Sequence, residues 1–130
     1  MDDKNPATLK TYGLISVITL ALGTLAVGTD VFIVAGFLPA MAQSLNVSAA
    51  NAGQSVTVFA VTFATLAPVL AAVTARIPRR GLLVGSLLIL CLANLGTALS
   101  PVLPALLATR VLAAIGAAMY TPGATAVSAV

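Results

Sequence analysis

The sequence predicts an all-α membrane protein with four transmembrane helices, and three observations predict it. Hydrophobic residues make up 60% of the 130 residues and charged residues only 7%. A soluble domain carries roughly 25% charged residues to cover its surface, so a bilayer is the solvent that suits this chain. The charges are also confined. Asp2, Asp3, Lys4 and Lys10 precede the first apolar run, Arg76, Arg79 and Arg80 form one cluster, and only Asp30 and Arg110 lie inside apolar stretches. The uncharged runs are then 11–29, 31–75, 81–109 and 111–130, against the about 20 apolar residues that one span needs. Finally, the run 31–75 is too long for one span and contains a polar, uncharged stretch, Gln43 to Ser48, that reads as a loop.

The predicted elements follow in order. Residues 1–12 form a cytoplasmic N-terminal segment. Helix one covers about 13–39 and ends at Pro39. A secretory signal peptide is disfavoured there, because its apolar region runs only about 7–15 residues. The acid at Asp30 argues the same way. Helix two covers about 52–75, with Ser48 or Asn51 as its cap. Asn46-Val47-Ser48 fits the glycosylation sequon and is read as coincidence. The cluster Arg76-Ile77-Pro78-Arg79-Arg80 stops helix two. Helix three covers about 81–99. Ser100-Pro101 and Pro104 make a turn, and helix four covers about 102–125. Short loops make sequential neighbours antiparallel.

Basic residues in short loops set orientation. Five of them (Lys4, Lys10, Arg76, Arg79, Arg80) fall at one end and none falls in the segments 40–51 and 100–103. The N-terminus is therefore expected inside, with the chain multi-pass in the inner (plasma) membrane. The apolar chain end suggests a fragment. The net charge of +3 forms no patch with interleaved aromatics, so no nucleic-acid partner is expected. The lipid bilayer is an expected partner. The chain has no histidine, which removes the usual zinc ligand and general base. No metal, cofactor or enzyme activity is expected. Cys91, the single cysteine, reads as a small core residue.

Asp30 and Arg110 carry the functional argument. A charge at mid-bilayer costs at least about 2.5–3.5 kcal/mol even on the lenient insertion scale. Asp30 stands nine residues before Pro39 and Arg110 eight residues after Val102, placing both roughly 12–14 Å below one boundary at 1.5 Å per residue. An acid and a base at one depth either make a structural ion pair or line a proton or substrate site. Ala113, Ala114, Ala117 and Thr121 share a face with Arg110 and leave room beside it. Gln54, Thr57, Val61, Thr65 and Pro68 form a mildly polar stripe on helix two. Gln54, Thr57, Thr65, Ala113 and Ala117 are thus candidate cavity-lining residues, although threonine hydroxyls that bond back to their own helix would explain the stripe equally well. Asn94 reads as interhelical glue. Gly81 and Gly85 form a small-xxx-small pair that allows close packing. Pro68 and Pro122-Gly123 are candidate kinks.

Around Asp30 the segment Gly28-Thr29-Asp30-Val31-Phe32-Ile33-Val34-Ala35-Gly36-Phe37-Leu38-Pro39 resembles the first helix of drug and sugar efflux proteins of the major facilitator superfamily. Residues 44–54 also look like that group. Arg76, Arg79 and Arg80 match the arginines of the superfamily's loop after helix two, whose acid and arginines latch the cytoplasmic gate. Ala75 stands at the place of that acid, and both glycines of the motif are replaced, as in the arabinose and purine efflux-like subgroup. Arg110, Ala113, Ala114, Gly116, Ala117 and Ala118 resemble the helix-four motif, whose arginine is implicated in proton coupling.

The resemblance implies the first four helices of a twelve-helix fold and a proton-coupled efflux transporter, driven by the proton gradient, that exports drugs, sugars or related metabolites; its expected partners are a small-molecule substrate and the remaining transporter helices. The helix-five antiporter motif would lie beyond residue 130. Two alternatives remain: a self-contained four-helix dimer like the small multidrug resistance proteins, and an inactive truncated product.

Overall fold

Helix boundaries in this protein follow capping chemistry more than the length of apolar runs. The computed structural model describes residues 6–128, with side chains described through Ala124. Within them are four α-helices, α1 (Pro6–Ser44), α2 (Ala49–Thr74), α3 (Arg79–Ala98) and α4 (Leu103–Ser128). Each is long and apolar enough to cross a membrane.

The first correction concerns Pro39. It does not end α1, which continues to Ser44. A proline inside a helix removes one backbone hydrogen bond and bends the chain, a loss that spanning helices tolerate. The stop comes seven residues later at Asn46, the described non-glycine residue with positive φ, at 53°. The Asn46 amide donates to Gln43 O (3.2 Å) and the Val47 amide to Ala42 O (3.0 Å). This is the Schellman pattern, in which a left-handed residue satisfies the last free carbonyls of a helix.

α2 begins at Ala49, three residues before the expected start, because Ser48 caps it. The Asn51 amide donates to Ser48 Oγ at 3.2 Å, the expected use of an N-cap serine. α3 takes in Arg79 and Arg80 rather than starting at 81. α1 likewise starts at Pro6, inside the segment assigned to the cytoplasmic N-terminus, of which residues 1–5 lie outside the described residues. Pro68 and Pro122 sit inside α2 and α4, which continue through them.

α4 is the centre of the bundle. It packs along both α3 and α2, and α1 leans on α2 and, more sparsely, on α4. Ala113, Ala114, Ala117 and Ala118 on α4 are fully buried. Small side chains at an interface let helix backbones approach closely, which is how helices associate where lipid removes the hydrophobic drive. The core joins Ala113, Ala114 and Ala117 to Phe59 of α2 and to Leu90 and Ala93 of α3.

The close approach is at Gly116. A methyl group there would sit 3.0 Å from both Leu90 N and Ser86 O. Gly81 and Gly85, the expected close-packing pair, would carry a methyl group into open space. Cys91 is exposed rather than in the core.

Buried hydroxyls are satisfied locally. Ser55 Oγ donates to Ala52 O (2.7 Å) and Ser86 Oγ to Leu83 O (2.8 Å). Between helices, the Thr97 hydroxyl of α3 meets the Thr109 hydroxyl of α4 at 2.9 Å. Outward faces are apolar, with Leu22, Leu25, Phe32 and Phe37 of α1 and Leu88, Leu92 and Leu95 of α3 all exposed. Such a surface suits lipid or further helices, not water.

Candidate functional site

Asp30 and Arg110 meet. Arg110 is 1% exposed, and the Asp30 side chain is 7% exposed. Arg110 Nη2 donates to Asp30 Oδ2 at 3.2 Å and Nη1 to Oδ1 at 3.4 Å. The planar guanidinium and the planar carboxylate face each other fork to fork, the geometry that makes arginine the cation for such pairs. Among the described residues Asp30 is the only acid.

Three helices build the site. On α1, Gly23, Asp30 and Val34 are buried at spacings of seven and four residues, one face of a helix. On α4, the alanines that follow Arg110 leave the volume its side chain fills, and Arg110 is the largest fully buried side chain of the described residues. On α2, the Phe59 ring lies against the guanidinium, with Arg110 Cζ over it, 4.7 Å from the centroid. Phe59 in turn stacks on Phe63, centroids 6.2 Å apart and planes within 9°. Arg110 Nε is buried with no hydrogen-bond partner.

Pro39 does not fix the depth of the pair. The pair forms even though α1 runs five residues past Pro39, because the acid's level is set by how α1 packs on α2 and α4 rather than by where its helix ends.

Asp30 also lines an open cleft of about 830 Å³ between α1, α3 and α4, with Thr29, Phe37, Asn94, Thr97 and Ser100 among its walls. The second cleft, about 1020 Å³, runs between the earlier part of α1 and the Tyr120 end of α4. In the wall of the second cleft Tyr120 crosses to α1, its hydroxyl donating to Leu20 O at 3.0 Å. Gly23 makes that crossing possible, since a methyl group there would overlap the Tyr120 hydroxyl.

The other expected residues are not brought together at the ion pair. Gln54, Thr57 and Thr65 are exposed on α2. The Thr65 hydroxyl turns back on its own helix, 2.8 Å from Val61 O. Ala113 and Ala117 are sealed in the core and border neither cleft. Arg76, in the turn after α2, and Arg79 and Arg80, opening α3, are exposed. Phe59 and Tyr120 are the residues that sequence reading missed. An aromatic in an apolar helix carries no local mark of its partner, although Tyr120 did offer a hydroxyl in need of one.

Comparisons with known proteins agree with this architecture. The family model described as the Major Facilitator Superfamily matches residues 20–130. The chain is 33% identical over 110 residues to an uncharacterized MFS-type transporter, YbcL, of Bacillus subtilis (strain 168), covering 85% of this chain and 28% of the relative. It is 36% identical over 101 residues to a chloramphenicol resistance protein of Streptomyces lividans, covering 78% and 26%. A third relative, the uncharacterized MFS-type transporter YtbD of Bacillus subtilis (strain 168), is 30% identical over 105 residues, covering 81% and 26%. The chain thus spans about a quarter of the length of the curated relatives it matches. No solved structure matches. With four membrane-spanning helices and a family match over most of its length, this multi-pass membrane chain belongs to the Major Facilitator Superfamily of transporters.

Proposed function

We propose that this chain is part of a proton-coupled efflux transporter, in which Asp30 is the proton-binding group and Arg110 its partner. The observation that carries the reading is the buried, fork-to-fork Asp30–Arg110 pair joining α1 to α4. Ionisable groups inside a membrane are expensive and are found where they serve proton or substrate pathways.

The pair depends on the charge of one carboxylate. From α4 the charged group facing Asp30 is Arg110, while α2 brings Phe59 and α3 brings Asn94 to the neighbourhood. A proton on Asp30 cancels the ionic attraction and leaves a buried guanidinium without a counter-charge, a change worth several kcal/mol in a low-dielectric site. α1 then loses its ionic tie to α4, and the equilibrium between inward-open and outward-open arrangements shifts. The open cleft beside Asp30 gives a proton a route to it.

The substrate proposed is a small molecule such as a drug, a sugar or a related metabolite, with the proton gradient as driving force. The relative named for chloramphenicol resistance supports efflux and makes chloramphenicol the first compound to test. The proposed location is the inner membrane with the N-terminus and Arg76, Arg79 and Arg80 in the cytoplasm. The gathering of cations at one end of the helical hairpins supports this under the positive-inside rule.

The test is gradient-driven chloramphenicol flux in proteoliposomes holding the protein that contains this chain. The expected result is flux that an imposed pH gradient drives and that Asp30→Asn abolishes. Flux at the unsubstituted rate in Asp30→Asn would end the proposal.

A further inference from the structure

Arg110 has two partners, and only one of them can lose its charge. Its terminal nitrogens point along the guanidinium plane to Asp30 at 3.2 and 3.4 Å. Its central carbon, Cζ, lies over the Phe59 ring, 4.7 Å from the centroid. An aromatic face attracts a cation through its quadrupole, most strongly when both are desolvated. The ring has no titratable atom, so that attraction is the same at every pH.

Phe59 is itself held. It is buried in the core cluster with the α4 alanines and braced by Phe63. Arg110 Nε has no hydrogen-bond partner, and among the described residues no second acid exists. A guanidinium whose counter-charge is gone therefore has one strong protein partner left, the ring on α2.

We infer that Phe59 is a positioning residue that keeps the Arg110 guanidinium docked on α2 whether Asp30 is charged or neutral, so that loss of the ion pair frees α1 alone. The α2–α4 contact becomes the fixed side of the switch and α1 the moving side. The inference rests on the proton-binding role proposed for Asp30 only in what it says about the switch, because the docking of Arg110 stands without it.

The test is an NMR measurement on the full chain in lipid nanodiscs with 15N-labelled arginine. The Arg110 Nε–H signal is assigned by its loss in Arg110→Lys. Over a ring face this proton is shifted upfield from the signals of the exposed Arg76, Arg79 and Arg80. The expected result is that the upfield shift survives in Asp30→Asn, disappears in Phe59→Leu and returns in Phe59→Tyr. An Asp30→Asn spectrum in which the Arg110 signal joins those of the exposed arginines would overturn the inference. If helicity by circular dichroism shows that Phe59→Leu does not fold, the Asp30→Asn and Phe59→Tyr spectra still decide it. Flux plays no part in this readout, so a failure here is separate from a failure of the transport proposal.

Discussion

Arg110 grips Asp30 through both terminal nitrogens, at 3.2 and 3.4 Å, along an interface where α1 and α4 otherwise touch sparsely. Removing one partner of a buried pair strands the other charge, which costs about 3–5 kcal/mol, whereas replacing both by apolar groups is often neutral or stabilising. Asp30→Leu is therefore expected to lower stability by that amount, and Asp30→Leu with Arg110→Met to regain most of it. Unfolding in detergent by titration with sodium dodecyl sulfate measures both. Additive losses in the double variant would mean that the two groups are not coupled.

Tyr120 and Gly23 form the second tie between these helices. Gly23→Ala is expected to destabilise the bundle by about 1–3 kcal/mol, the usual cost of overpacking, since the added methyl group overlaps the Tyr120 hydroxyl. Tyr120→Phe keeps the ring and removes the hydroxyl that donates to Leu20 O, for about 1 kcal/mol. Gly28→Ala and Gly36→Ala, where a methyl group meets nothing within 4 Å, are the controls and are expected to be harmless.

Gly116 distinguishes true close packing from its sequence mimic. Gly116→Ala presses a methyl group on the α3 backbone at Leu90 N and Ser86 O, and backbone cannot rotate away as a side chain can. A loss of about 1–3 kcal/mol is expected. Gly85→Ala is expected to be neutral. The same unfolding titration compares them, and equal losses would put the α3–α4 contact elsewhere.

These contrasts show what was legible in the sequence. The four spans were, because charges and turn residues interrupt apolar runs wherever the chain leaves a membrane. The Asp30–Arg110 pair was too, because two charges in apolar helices have few ways of being tolerated. The inward faces were not. α1 and α3 are apolar nearly all round, so lipid-facing and core-facing positions look alike, and Gly85 reads the same as Gly116. Cys91 was misplaced for that reason. Pro39 misled because proline ends helices in water more reliably than in membranes, while the stop came from Asn46, whose left-handed backbone no apolar pattern announces. The stripe on α2 was real as a pattern, but Thr65 spends its hydroxyl on its own helix.

Orientation gives a further prediction. In a Cys91→Ser background, Ala50→Cys sits at the exposed start of α2 and Arg80→Cys at the exposed start of α3, at opposite ends of a helix pair. In spheroplasts a membrane-impermeant maleimide is expected to label Ala50→Cys and to reach Arg80→Cys only after the cells are opened. The reverse pattern would invert the proposed topology.

The isolated chain is expected not to transport. Alternating access needs two bodies rocking around a shared mid-membrane site, and the curated relatives are about four times as long as their overlap with this chain. α1 leaves Leu22, Leu25, Phe32 and Phe37 exposed, and the cleft that Asp30 lines stands open between α1, α3 and α4. The proposed proton-binding pair, without an opposing wall, can change charge but cannot move a solute. Liposomes holding only residues 1–130 are therefore expected to show chloramphenicol flux equal to protein-free liposomes under the same pH gradient. The full-length carrier under identical conditions sets the scale. Gradient-driven flux from the isolated chain, together with a dimer in detergent, would instead favour a self-contained four-helix transporter in which a second copy supplies the missing wall.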